Sequence, residues 1–242
     1  MFSYSFWAGA GISFIFLMTL AGSATVFLFP RRRSGGMQSG MMGFSAGVMT
    51  AAAIWSLLIP AIEQSSESFA MPWLPAAAGI LSGAMFIAAL ELWQKHAEGE
   101  AKPLLFAAVT LHNIPEGMAV GLAFALALGG DGLASALALA FGIGVQNFPE
   151  GAAVSLPMSA ASRAQAFFRG LVSGAVEPVA AVAAMLVSGL IYPAMPWLLS
   201  FSAGAMLYVS AGELLRQAKG IRGTGGYMLG FCLMMVLDLA LG

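Results

Sequence analysis

Apolar residues run through this chain in long blocks, separated by a few polar or glycine-rich positions. A helix rises 1.5 Å per residue, so about 20 apolar residues cross a hydrocarbon core of about 30 Å. Eight blocks fit that description, roughly 5–29, 40–62, 72–93, 103–128, 133–158, 166–190, 194–215 and 225–241, the last being short. The pattern predicts an all-α membrane protein, a single transmembrane domain over 1–242 built as an eight-transmembrane-helix bundle. Pro115 and Pro149 fall inside the fourth and fifth segments. Neither can donate to the carbonyl four residues back, on Leu111 and Val145, so two Pro-kinked central helices are expected. Pro178 is expected to disturb the sixth in the same way. FSAGVM at 44–49 and FSAGAM at 201–206 lie in segments that cross in opposite directions. That pairing gives the bundle inverted-repeat character, although small residues of this kind also serve ordinary helix packing in lipid.

Composition sharpens the picture. Sixty per cent of the 242 residues are hydrophobic and only 9% charged, against about a quarter charged in a soluble domain. So few charges do not cover a water-facing surface, and the solvent must be lipid. The ten basic residues are Arg31, Arg32, Arg33, Lys95, Lys102, Arg163, Arg169, Arg216, Lys219 and Arg222. All fall in loops that follow odd-numbered segments or, for Arg169, in the first turn beyond such a loop, and the alternate loops hold none. Basic loops stay cytoplasmic, so both termini are expected outside, in a multi-pass protein of a bacterial inner (plasma) membrane. Met1 to Pro30 lacks a basic leading region and its arginines follow the apolar run, which fits a first spanning helix better than a secretory leader. One cysteine, Cys232, excludes an internal disulfide and a thiolate metal cluster. A net charge of −1 carries no information about partners; the bilayer is one, and no nucleic acid is expected.

Glu116, Glu150 and Glu177 lie well inside apolar runs. A carboxylate at the bilayer centre costs roughly 2.5–3.5 kcal/mol, so three facing lipid would oppose insertion by about 8–10 kcal/mol. They are expected to face the bundle interior, near a cation or water. Counted from the nearest basic residue, Glu116 stands ~21 Å and Glu150 ~20 Å above the inner surface, with Glu177 lower at ~12 Å. His112 and Glu116 are i and i+4, one turn apart on one helix face, and Gln146 and Glu150 repeat that geometry. Asn113 and Asn147 flank them. Oxygen ligands alone would suit magnesium or calcium. The imidazole shifts the preference to a borderline divalent metal such as zinc, iron(II), manganese or cobalt. The ligands are too many for one closed tetrahedral site. Two adjacent metal positions bridged by Glu116 and Glu150 would use them all.

HNIPEG at 112–117, QNFPEG at 146–151 and SGAVEP at 173–178 resemble the metal-binding motifs of the ZIP (Zrt/Irt-like) family of divalent metal transporters. Gln146, where many members have a second histidine, resembles the GufA-like branch. The resemblance extends over the whole chain. It implies a binuclear transport site with His112, Asn113, Glu116, Gln146, Asn147, Glu150 and Glu177 at ligand positions. It also implies a homodimer that imports metal, zinc foremost and cadmium among the other possible cargoes, by alternating access. In the elevator form of that mechanism segments one, four, five and six move against the other four. The metal is cargo, and no cofactor is implied. A long histidine-rich loop after the third segment, common in the family, is replaced here by QKHAEGEAK.

Glu91 and Glu213, at the cytoplasmic ends of the third and seventh segments, either receive exiting metal or are ordinary interfacial carboxylates. His96 reads as a solvated loop residue, and Glu63, Glu67 and Asp131 as solvated positions on an outer side without basic residues. Asp238, inside the last segment, has no account at this level. The 16 methionines read as flexible packing. A passive metal-selective channel on the same scaffold is an alternative. An intramembrane metal-dependent hydrolase is a weaker one, since HExxH is absent and histidine scarce; the chain is not expected to be an enzyme.

Overall fold

A chain in lipid must satisfy its backbone polar groups internally, and a helix does so within one segment. The computed structural model describes residues 4–29, 35–98, 104–128, 132–158 and 162–241, without the side chains at 67–68 and 95–98. The described residues are helical almost throughout and contain no strand. They form eight rods. α1 is Tyr4–Ala24, continued by a 3₁₀ turn over Thr25–Phe27. α2 runs Gly35–Ala52, passes through a π-helical stretch at Ala53–Leu58 and continues as Ile59–Ser68. α3 is Trp73–Glu98, α4 Leu105–Ala127 and α5 Leu133–Met158. α6 joins Arg163–Gly174 to Val176–Leu186 through Ala175. α7 runs Met195–Val209, turns π-helical at Ser210–Leu214 and ends at Leu215–Gln217. α8 is Gly220–Leu241.

Six of these, α1, α2, α3, α6, α7 and α8, are long and apolar enough to cross a membrane. The other two, α4 and α5, carry the polar motifs; at 23 and 26 residues they have the length of a span. The last rod is longer than its hydropathy suggests. It begins at Gly220, with Gly220 itself at φ 65°, because the glycine-rich IRGTGG stretch packs against α2. A Cβ on Gly226 would lie 2.2 Å from the Gly40 carbonyl oxygen, so only glycine allows that approach. The side chains of His96 and Glu67, together with Asp131, Lys102 and Arg31 to Arg33, lie outside the described residues.

Four helix pairs carry the closest packing: α2 with α8, α3 with α7, α1 with α5, and α4 with α6. The contacts within the first two pairs correspond residue by residue. A Cβ on Gly47 would meet the carbonyl oxygen of Tyr227 at 2.1 Å, and one on Gly204 that of Ile80 at 2.1 Å. Gly47 and Gly204 are the glycines of the FSAGVM and FSAGAM segments. Each π-helical stretch starts nine residues after the phenylalanine of its own segment, Phe44 or Phe201. The largest buried apolar cluster joins α2, α4 and α7 around Met49, Leu57, Leu105 and Met206. A second, around Ile15 and Phe124, joins α1, α4 and α5.

Candidate metal centre

Helical spacing puts His112 and Glu116 on one face of α4, and α5 brings Glu150 against that face. His112 Nε2 lies 3.2 Å from Glu116 Oε1 and 3.0 Å from Glu150 Oε2. His112 is fully buried, and both glutamates are 3% exposed. One ligand atom from each of the three residues falls within 4.8 Å of the others. The imidazole nitrogen holds at most one proton, yet two carboxylates face it. Both oxygens of Glu116, Glu150 Oε1 and His112 Nδ1 have no hydrogen-bond partner. A buried carboxylate without compensation costs several kcal/mol, and a cation held between these three side chains would offset that cost. Borderline divalent metals accept one imidazole and two carboxylates as a donor set.

The other four expected ligands are buried nearby, and their side chains are engaged with other partners. Asn113 Nδ2 donates to the Ser173 carbonyl at 3.0 Å and to its hydroxyl at 3.3 Å. Asn147 Nδ2 donates to Glu177 Oε2 at 3.0 Å, and Thr19 Oγ1 donates to Glu177 Oε1 at 2.6 Å. Gln146 Nε2 donates to Asp238 Oδ1 at 2.8 Å. Glu91 and Glu213 stand apart from the cluster. Glu91 accepts from the Tyr208 hydroxyl at 2.9 Å, and Glu213 accepts from the Leu104 N–H at 3.0 Å, at the start of α4.

Asp238 is the residue that sequence reasoning left unexplained. It is 8% exposed, accepts from Ser56 at 2.5 Å as well as from Gln146, and keeps Oδ2 without a partner. The signal was present as an acid inside an apolar segment, but nothing along α8 points to Gln146, 92 residues away. Asp238 lines a cavity of about 370 Å³ that also touches Ser56, Gln146, Glu116 and the exposed Glu63. This cavity extends from Glu116, one residue of the cluster, to Glu63. A separate cavity of about 380 Å³, lined by Gln38, Arg169 and Glu213 among others, includes none of the cluster residues.

The prolines sit inside helices that stay continuous around them. The Leu111 carbonyl, deprived of its donor by Pro115, accepts from the Ser202 hydroxyl of α7 at 2.9 Å. Gly117 and Gly151 bring outer helices to the motif. A Cβ at either would lie 2.3 Å from a carbonyl oxygen, that of Glu177 for Gly117 and that of Thr19 for Gly151.

The family described as ZIP Zinc transporter matches residues 94–238, which include all three motifs. The chain belongs to that family. It is 33% identical to zinc transporter ZIP11 of Homo sapiens over 98% of each chain. It is 38% identical to zinc transporter GufA of Myxococcus xanthus over 78% of this chain and 81% of that one. Zinc transporter ZIPB of Bordetella bronchiseptica is 34% identical over 85% of this chain and 72% of its own length. This ZIP family member is therefore an all-helical, multi-pass integral membrane protein of a metal-transport family.

Proposed function

We propose that this ZIP protein imports a divalent transition metal into the cytoplasm, zinc foremost, with iron, manganese, cobalt and cadmium as rival cargoes. The reading rests on one observation: donor atoms of His112, Glu116 and Glu150, all buried, lie within 4.8 Å of one another. Metal arrives through the cavity beside Glu63, meets Asp238 and Gln146, and sheds water onto the cluster. A second metal position, completing a binuclear site, draws on Glu177, Asn147 and Asn113 once they exchange their present hydrogen bonds for metal. Protons compete for the same carboxylates and imidazole, so loading releases protons and uptake falls as the outside pH drops.

Alternating access is favoured over a pore, because the cavity that touches Glu63 and Glu116 and the cavity that holds Glu213 share no lining residue. The four closest helix pairs favour the elevator division. α1 with α5 and α4 with α6 fall in the moving set, while α2 with α8 and α3 with α7 form the frame. The remaining elements of the reading are eight spans in one transmembrane domain with bends at Pro115 and Pro149, an inverted repeat supported by the matching Gly47 and Gly204 contacts, and both termini outside. A homodimer in a bacterial inner membrane completes it, with Glu91 and Glu213 near the exit.

Radiolabelled zinc uptake into proteoliposomes tests the reading, with competing divalent ions and a pH series. The Glu116→Ala, Glu150→Ala double variant is expected to lose uptake. Undiminished uptake by that variant would mean that metal crosses elsewhere.

A further inference from the structure

Thr19 is 4% exposed and Glu177 fully buried. Their contact joins α1 to α6 across 158 residues of sequence. The two residues hold matching places in the bundle. Each presents its backbone carbonyl to the glycine of one PEG motif, Glu177 to Gly117 and Thr19 to Gly151, at the same 2.3 Å from a Cβ built there. The spacing of 158 is within one of the 157 residues that separate FSAGVM from FSAGAM. So Thr19 stands towards α5 as Glu177 stands towards α4, and the two side chains turn to each other.

The chemistry of that contact is specific. A threonine hydroxyl has one proton. Thr19 Oγ1 is 2.6 Å from Glu177 Oε1 but 3.3 Å from the Ile15 carbonyl, so the contact to Glu177 is the closer of the two. Asn147 Nδ2 holds the other oxygen at 3.0 Å. Both carboxylate oxygens are thus engaged, one by Thr19 of α1 and one by Asn147 of α5. A metal that takes the lone pair either bond occupies must displace that bond.

We propose that Thr19 is a positioning residue of the transport site: its hydroxyl holds one oxygen of Glu177 and competes with the cargo for that carboxylate. This rests on the reading of Glu177 as a transport ligand given above. The hydroxyl lowers the affinity of the site and hastens release, because it is ready to take the oxygen back when metal leaves. Val is close to isosteric with Thr and has no hydroxyl; Ser keeps the hydroxyl and drops a methyl.

Zinc uptake into proteoliposomes, measured as KM and Vmax separately, tests this. Thr19→Val is expected to lower KM up to about tenfold, the upper scale of one net hydrogen bond, and to lower Vmax with it. Thr19→Ser is expected to restore both. In a Glu177→Ala background Thr19→Val should change neither, because no side-chain oxygen is left to hold. A Thr19→Val protein with wild-type KM overturns the proposal. So does a fall in Vmax at constant KM that Ser does not rescue, which marks a packing role. If the wild-type protein moves no metal, the functional reading itself fails; if it does and Thr19→Val is silent, only the role of Thr19 fails.

Discussion

Gly117 makes the sharpest quantitative test of how α6 is held against the motif. A Cβ there would lie 2.3 Å from the Glu177 carbonyl oxygen and 2.9 Å from both its carbonyl carbon and its Cα. A carbon and a carbonyl oxygen rest at about 3.3 Å, so α6 must retreat by about 1 Å. The listener atoms are backbone, and no side-chain rotation relieves the contact. In Gly117→Ala, alanine returns up to about 1 kcal/mol of helix propensity. Overpacking a filled interior costs about 1–3 kcal/mol. The net effect on stability is therefore small, near 1 kcal/mol of loss. The effect on transport is larger, because the retreat carries Glu177 away from Asn147 and from the cluster, and ligand geometry tolerates errors well below 1 Å. Zinc uptake should fall at least about tenfold while the detergent-solubilised protein still melts cooperatively. Gly9→Ala is the control: nothing lies within 4 Å of a Cβ built there, so it should gain stability and keep full uptake. Wild-type uptake by Gly117→Ala would refute the close approach of α6 and the placement of Glu177 with it.

Asp238→Asn keeps the shape of the side chain and removes its charge; KM for zinc should rise about fivefold, the ~1 kcal/mol expected of one partly hydrated charge, with Vmax near wild type at saturating metal. An unchanged KM would separate Asp238 from the route of the metal. Ser202→Ala strips the donor from the Leu111 carbonyl, which has no helical partner because of Pro115. That loss should cost about 1–3 kcal/mol and lower the melting midpoint by a few degrees, visible in a fluorescence-monitored melt.

What could be read from the sequence was whatever repeats along a single helix. The i, i+4 spacing placed His112 with Glu116, and a count of rises from the nearest arginine or lysine put Glu116 and Glu150 at one depth; the structure brings these three side chains together. What could not be read was whatever depends on which helix lies beside which. Thr19 with Glu177, Gln146 with Asp238 and Ser202 with Leu111 are separated by 158, 92 and 91 residues. Periodicity carries no information about such partners. The start of α8 was missed for a related reason. Hydropathy counts the glycines of IRGTGG against a span, whereas close packing on α2 favours them. Glu91 and Glu213 could be placed at helix ends but not given partners, since one bonds a tyrosine of α7 and the other a backbone N–H before α4.

The two π-helical stretches have a consequence for direction. Trp55 and Ser56, in the stretch of α2, line the cavity that reaches the metal cluster. Glu213 and Leu214, in the stretch of α7, line the cavity at the other end. The scaffold thus sets the same kind of widened turn beside both cavities, so its main chain does not distinguish one end from the other. What distinguishes the two cavities is the side chains that line them: an unshared aspartate oxygen in one, and both Arg169 and Glu213 in the lining of the other.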